Sequence, residues 1–214
     1  MAAPKAERNP GSRDAASARE RILAAFETLL ISDGERAATL DAVAARAGVS
    51  KGGLLYHFGS KDALIGGLIE RLDALVEIDI ERMRAADSGI VDYFIRTSVA
   101  SPGSPNELER TIVACSGLAQ GAHPHVRDAL RRVQGSWLAV LGEAVADPVV
   151  ARLVMLVGDG LYFNSVTGLS DETPDSASMD ELVALLRELV ARGPAHPSLG
   201  ALPAPRGDSG SRLA

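Results

Sequence analysis

The chain has 214 residues, of which 46% are hydrophobic and 23% are charged, and this composition excludes a wholly disordered protein. The single cysteine excludes an internal disulfide and favours a reducing, cytoplasmic location. The net charge of −6 argues against a wholly basic nucleic-acid binder, but residues 1–61 carry nine Lys and Arg against seven Asp and Glu. A mildly basic head on an acidic body predicts contact with an anion at one end only.

No apolar stretch occurs before residue 22, so we expect no secretory signal. The most apolar segment runs from Val149 to Leu169, but Arg152 and Asp159 interrupt it. A membrane-spanning helix needs about 20 mostly apolar residues. We therefore expect no membrane partner.

Apolar residues recur at helical spacing along most of the chain, and alternating strand patterns are missing, so the sequence predicts an all-α fold. The polar residues 1–14 are expected to form a disordered arm, and residues 193–214, rich in Pro and Gly, a disordered tail. Between them we predict a three-helix head over 15–61 and a regulatory body over 62–192. The predicted helices are 15–33, 40–47, 51–57, 61–85, 89–98, 106–121, 124–146, 148–169 and 178–192.

The second and third helices form a helix-turn-helix pattern. Thr39 is a good N-cap for the second helix, Gly48 a good stop, and Ser50 a good N-cap for the third. The turn between them has only the four residues 47–50. In such a unit the second helix of the pair lies in the major groove of DNA.

The third helix and the start of the fourth have features that solvated helices do not need. Lys51 and Lys61 stand in first turns, where a cation opposes the helix dipole unless an external phosphate is bound there. Gly52 and Gly53 each cost about 1 kcal/mol relative to Ala, but they allow close backbone approach to a surface. On these residues alone, a short solvated connector remains an open alternative.

Residues 15–64 resemble the DNA-binding domain of the tetracycline-repressor (TetR) family. The resemblance is carried by an apolar face on the first helix and by four short motifs along the rest of the segment. These are Ile22, Leu23 and Phe26, followed by residues 39–44, 47–52, 54–58 and 60–64. The resemblance implies an all-helical regulatory body that binds a small molecule and dimerises.

The resemblance also implies roles for single residues in DNA binding. Phosphate contacts are implied for Thr39, Tyr56, His57 and Lys61. Side chains facing base edges are implied at Lys51, Gly52, Gly53 and Leu55, next to the cap Ser50. Gly53 has no side chain and Leu55 offers only apolar contact, so Lys51 is the best remaining candidate to read a base.

The body carries few aromatic residues, and they suggest a pocket between helices. The candidate ligand-binding residues are Phe94, Cys115, Leu118, Trp137 and Asn164. Packing in an ordinary core is the alternative for each of them, and a buried structural thiol is the simplest interpretation of Cys115. His123 and His125 lack a third nearby ligand, so we expect no metal, and no cofactor and no enzymatic activity are expected.

The last two predicted helices are apolar on more than one face, which a single chain of this size can hardly bury. A four-helix interface between two copies would bury them, with twofold symmetry the common choice. The candidate interface residues are Leu153, Val157, Leu161, Leu182, Leu186 and Leu189.

The sequence thus predicts a homodimeric transcriptional regulator, most simply a repressor, that binds a palindromic operator. A small, largely apolar effector would bind the body and act on the head through the fourth helix, with Leu68, Leu72, Leu75 and Val76 as inner contacts. The alternative is a helical small-molecule sensor or scaffold with degraded DNA specificity, as Gly52 and Gly53 suggest.

Overall fold

The computed structural model describes residues 10–100, 105–167 and 175–193. Within these ranges the chain forms nine α-helices and no strand, which confirms the all-α prediction. The helices are α1 (Pro10–Ser32), α2 (Leu40–Ala47), α3 (Lys51–His57), α4 (Lys61–Ala85), α5 (Ile90–Thr97), α6 (Glu107–Ala119), α7 (Pro124–Ala144), α8 (Pro148–Thr167) and α9 (Ser176–Ala191).

Helix α1 begins five residues earlier than predicted, so residues 10–14 belong to a helix and not to an arm. Proline is compatible with a first helical turn, because the N–H that it lacks would have no partner there. The rest of the predicted arm, and the tail beyond Gly193, lie outside the described residues. Helix α9 begins at Ser176 because Asp175 caps it, its carboxylate accepting a hydrogen bond from the Ser178 N–H at 2.8 Å.

Helices α2, α3 and α4 have the bounds that the sequence predicts. Thr39, Ser50 and Ser60 each accept a capping hydrogen bond from the backbone N–H three residues later. Gly48 ends α2 with φ 66° and ψ 36°, a left-handed conformation that glycine adopts without steric cost.

Two apolar clusters hold the chain together, and the first spans the predicted boundary between head and body. It joins Phe26, Leu54 and Leu68 to Leu118 and Val133. The second cluster joins α5, α7, α8 and α9 around Phe94, Leu141 and Leu186. The head therefore packs directly onto α6 and is not an independent three-helix unit.

Helix α8 is, in the part of the chain that the structure describes, the one helix long and apolar enough to cross a membrane. It packs against α5, α7 and α9, and it carries Arg152 and Asp159. Its remaining apolar face is exposed in the single protomer. The exposed residues are Val149, Leu153, Leu156, Phe163 and Val166.

Gly158 allows α8 to approach α5 closely. A Cβ atom at this position would lie 2.4 Å from Phe94 Cε1 and 2.8 Å from Ser98 Oγ. Gly158→Ala should therefore lower the free energy of unfolding by about 1–3 kcal/mol, as overpacking does elsewhere. Urea unfolding at a fixed protein concentration measures this change.

Gly142→Ala is the matched control, because a Cβ atom on this helical glycine of α7 meets nothing within 4 Å. It should stabilise the protein by up to about 1 kcal/mol, the difference in helix propensity. Equal stability of the two variants would contradict the proposed close contact of α8 with Phe94.

Candidate DNA-binding surface and ligand cavity

The head exposes most of the residues predicted to meet DNA. Leu54 and Phe58 are buried and fix α3 against the head core, which leaves the next positions on α3 facing outward. Tyr56 is 83% exposed, an unusual position for a large aromatic side chain, and its ring packs edge-on against His57. No packing contact within the described part of the protomer explains why so large an aromatic side chain lies at the surface.

The nine candidate DNA-binding residues divide into an exposed set and a partly buried set. The exposed residues are Thr39, Ser50, Lys51, Gly52, Leu55 and Tyr56, and the partly buried ones are Gly53, His57 and Lys61. Gly52 faces open space, so the backbone of α3 is bare at that position. The capping hydroxyls of Thr39 and Ser50 can still donate their own hydrogens.

Both lysines of the head have acidic partners. The Lys51 ammonium lies 2.9 Å from a carboxylate oxygen of Asp41, so a contact with a base requires that this exposed ion pair open. Lys61 donates to the backbone carbonyl of Glu35 at 2.7 Å and lies 3.5 Å from its carboxylate. The lysine thus anchors the loop between α1 and α2, a role that the sequence did not reveal.

Glu35 also connects the head to the body. Its carboxylate lies 3.0 Å from Nε2 of His123, in the loop between α6 and α7. This hydrogen bond, more than the nearby charge of Lys61, lowers the pKa of the Glu35 carboxyl. His123 is therefore occupied by the head, and within the described residues no group of three or more His, Cys, Asp or Glu side chains is arranged to hold a metal ion.

A second junction lies between α1 and α6. The Glu27 carboxylate is only 1% exposed, and it accepts hydrogen bonds from the Thr111 hydroxyl at 2.6 Å and from Arg110 Nε at 3.3 Å. Arg110 also donates to the Thr28 hydroxyl at 3.0 Å. Helix α6 is thus fixed to the head by a buried, charged hydrogen-bond network.

The other side of α6 faces a cavity of about 860 Å³ that helices α4 to α8 enclose. Sites for small molecules commonly lie between helices and have this size. Aromatic and carboxylate side chains make up much of its wall. These lining residues are Asp79, Tyr93, Phe94, Glu109, Trp137, Asp159 and Tyr162.

Two of the five predicted ligand-binding residues, Phe94 and Trp137, line this cavity. The other three predicted residues do not line it. Cys115 and Leu118 lie on the side of α6 that packs into the first apolar cluster, and Asn164 lies on the exposed side of α8. Helical periodicity groups the residues of each helix by the side on which they lie, but it does not show which side faces the cavity.

Trp137 has the polar partner that a buried indole needs. Its Nε1–H donates to one carboxylate oxygen of Asp79 at 3.0 Å, and the Tyr93 hydroxyl donates to the other at 3.0 Å. Asp79 therefore fixes two aromatic rings at the cavity wall. No local pattern pointed to Asp79, because 58 residues separate it from Trp137.

The predicted interface residues are only partly available on the protomer surface. Leu153 is exposed, and Val157, Leu161, Leu182 and Leu189 are partly buried. Leu186 is only 2% exposed because it packs inside the second apolar cluster, so its assignment to an interface was wrong. Its neighbour Leu185 is the exposed large hydrophobic residue on α9.

The fold and the two sites define a helix-turn-helix DNA-binding protein with a ligand-binding body. Residues 22–68 match the sequence profile of the bacterial regulatory proteins of the tetR family, and residues 89–191 match a tetracyclin repressor-like C-terminal domain. The two matches together cover more than half of the chain. The chain therefore belongs to the TetR family of transcriptional regulators.

Individual relatives agree with this assignment. The chain is 28% identical over 172 residues to the HTH-type transcriptional regulator BetI of Paraburkholderia phymatum, a match that covers 78% of this chain and 76% of BetI. The fold is similar to that of SCO7518 from Streptomyces coelicolor A3(2), with a TM-score of 0.59, 24% identity and coverage of 79% and 98% of the two chains. Salmonella enterica GusR gives a TM-score of 0.62 with 21% identity and coverage of 81% and 95%.

Cys115 is buried, and this burial, with the nearby charges of Glu27 and Asp73, raises the pKa of its thiol to about 12. A thiol with so little thiolate at neutral pH reacts slowly with disulfide reagents. We therefore expect Cys115 to react with an aromatic disulfide reagent at pH 8 only as fast as the protein unfolds. Absorbance of the released thiolate measures the rate.

The matched control moves the thiol by one position. The Cys115→Ser, Ser116→Cys double variant places a single cysteine on the cavity side of α6, where Ser116 is only partly buried. It should react much faster than the wild type. A fast reaction of wild-type Cys115 in the folded protein would show that the α1–α6 contact opens readily.

Proposed function

We propose that this protein is a ligand-responsive repressor that binds a palindromic operator as a homodimer in the cytoplasm. A small, largely apolar effector in the cavity would control it. The observation that carries the proposal is the position of α6, which contacts the head on one side and lines the cavity on the other. An occupant of the cavity therefore touches a helix that also holds the head.

The DNA-binding surface in this proposal consists of the exposed end of α3 and the helix N-termini beside it. Tyr56 and His57 would donate hydrogen bonds to phosphates, as would Thr39. Lys61 would exchange part of its contact with Glu35 for a phosphate. Exposed backbone at Gly52 would let α3 lie close to the floor of the major groove.

Two observations favour the alternative of a sensor with degraded DNA specificity. The two glycines of α3 offer no side chain to a base, and the Lys51 ammonium is already paired with Asp41. A gel-shift assay with the DNA upstream of the protein's own gene, against random duplex of equal length, separates the two functions. Equal affinity for both duplexes would support the alternative.

A dimer would cover the exposed apolar face of α8 together with Leu185 on α9. On α8 the residues 149, 153, 156, 160 and 163 follow one another at alternating intervals of four and three, which places them along a single stripe. Gly160 in this stripe is exposed and meets nothing within 4 Å, so two such helices can cross closely. In a twofold-symmetric dimer, the stripe of one protomer would pack against the same stripe of its partner.

Control of the head would run through two helices. Helix α4 contributes Leu75 and Asp79 to the cavity and Leu68 to the core of the head. Helix α6 contributes Ile112 and Ser116 to the cavity and Thr111 to the junction with Glu27. An effector would shift the head only if it binds one arrangement of these helices better than the other.

Lys61→Ala should weaken binding to operator and to random duplex alike. The loss of one phosphate contact should reduce the slope of log affinity against log salt concentration by about 1. Fluorescence anisotropy of labelled duplexes between low and physiological salt measures the slope.

Lys51→Ala is the comparison variant, because Lys51 would read a base. It should lower the preference for operator over random duplex by about 1–3 kcal/mol. An unchanged salt slope in Lys61→Ala would remove that lysine from the phosphate contacts, and an unchanged preference in Lys51→Ala would remove the base contact.

Leu156→Glu should abolish dimerisation without unfolding the protomer, because Leu156 is 59% exposed in the centre of the apolar stripe. A carboxylate without a partner in a buried interface costs several kcal/mol. Sedimentation velocity should show a folded monomer. Ala74→Glu adds the same charge at an exposed position of α4 and should leave the dimer intact.

Leu186→Glu should instead unfold the protomer, since Leu186 lies in the second apolar cluster. A folded Leu156→Glu dimer would place the interface on another surface.

A further inference from the structure

The interior of the cavity carries three carboxylates that have no ion-pair partner among the described residues. Asp79 accepts hydrogen bonds from the neutral donors of Trp137 and Tyr93. Asp159 lies 3.4 Å from the amide nitrogen of Gln134, and Glu109 accepts from the Asn106 backbone N–H at 2.9 Å. All three are buried or partly buried, so their charges are poorly compensated by solvent.

None of the three arginines that line the cavity forms an ion pair with these carboxylates, although the charge of Arg82 lowers the pKa of Tyr93 against the larger effects of burial and Asp79. Arg82, Arg127 and Arg131 are all exposed. Arg127 donates to the backbone carbonyls of Ala119 and Gly121 at 3.1 and 2.9 Å, and Arg131 pairs with Asp128 outside the cavity. The interior is therefore negative although the lining as a whole carries both signs.

Aromatic rings stand beside the carboxylates. Asp79 holds Tyr93 and Trp137, and the Phe94 ring lies 6.5 Å from that of Trp137. Across the cavity, Tyr162 follows Asp159 by one helical turn, and its hydroxyl donates to the Glu109 carbonyl at 3.4 Å. The faces of such rings attract cations, most strongly for Trp.

These surroundings raise the pKa values of the two tyrosine hydroxyls in the cavity wall. Burial, and then the charge of Asp79, raises the pKa of Tyr93 to about 12. Burial, and then the charge of Glu109, raises the pKa of Tyr162 to about 12. Burial opposes a charge of either sign, but the contributions of Asp79 and Glu109 oppose a phenolate and favour a positive charge at the same place.

We propose that the effector is a hydrophobic organic cation. Its charged group would lie within reach of Asp159 and Asp79, and its apolar body would pack against Trp137 and Phe94. The two carboxylates contact Gln134 and Trp137, which are one turn apart on α7, so both can act on one ligand. This inference rests on the proposed function and gives its effector a charge.

The test uses two ions of nearly the same shape and opposite charge, tetraphenylphosphonium and tetraphenylborate, with the full-length protein. Isothermal titration calorimetry measures the affinity of each. Trp137 is the sole tryptophan of the chain, and quenching of its fluorescence reports whether the ion enters the cavity. We expect the cation to bind at least about tenfold more tightly, the effect of one charge-assisted contact.

Asp159→Asn keeps the shape of the side chain and removes its charge. It should weaken binding of tetraphenylphosphonium about tenfold and leave or improve that of tetraphenylborate. Asp79→Asn should act in the same direction while its amide oxygen still accepts a hydrogen bond. Glu188→Gln, on the exposed side of α9, is the control and should change neither affinity.

Three results would overturn the proposal: tighter binding of the anion, binding of neither ion, or cation binding that neither aspartate variant weakens. The wild-type comparison decides the charge even if a variant folds poorly. DNA binding by the same preparation is measured separately. A protein that binds operator but prefers the anion would lose this proposal and retain the proposed function.

Discussion

The buried carboxylate of Glu27 is the constraint on which the relation of the head to the body depends. A charge that is almost fully removed from water is tolerated only when charged and hydrogen-bonding partners surround it. Thr111 and Arg110 on α6 supply these partners, from more than 80 residues away in sequence. Loss of the α6 partners while Glu27 stays buried would leave its charge unpaired, at a cost of about 3–5 kcal/mol. We therefore expect α6 to move together with the head.

Because α6 is attached to the head, an occupant of the cavity can affect the head. The residues of α6 that hold Glu27 alternate along the helix with those that line the cavity, so a rotation or shift of α6 changes both environments at once. The contact of Glu35 with His123 adds a second connection at the end of α6. Packed helices change position in discrete steps because their side chains interdigitate, so a small occupant can select between arrangements of the head.

Local signals in the sequence predicted much of this fold. Capping residues such as Ser50 and the stop at Gly48 gave the bounds of the short helices, because these residues act on backbone groups within three or four positions. The ring of Tyr56 is exposed because Leu54 and Phe58, on either side of it, are buried against the head core. The hydrogen-bond requirement of the Trp137 indole was also predictable, although its partner was not.

The features that the sequence did not predict depend on contacts between distant segments. Nothing local distinguishes Glu27 or Asp79 from a solvated acid, and only packing brings each to its partners. Helix α9 is apolar on several sides, so the pattern could not decide that Leu186 faces inward and Leu185 outward. The same ambiguity placed Cys115 and Leu118 at the cavity, whereas they pack against the head.

Coupling between the head and the cavity can be measured most directly through Trp137. Operator DNA should be titrated into the full-length protein while the emission of Trp137 and its quenching by acrylamide are recorded. Because coupling between two sites is reciprocal, saturation with operator should change both signals, and Glu27→Gln should reduce that change while DNA is still bound. Saturation with operator that leaves both signals of Trp137 unaltered would contradict the account.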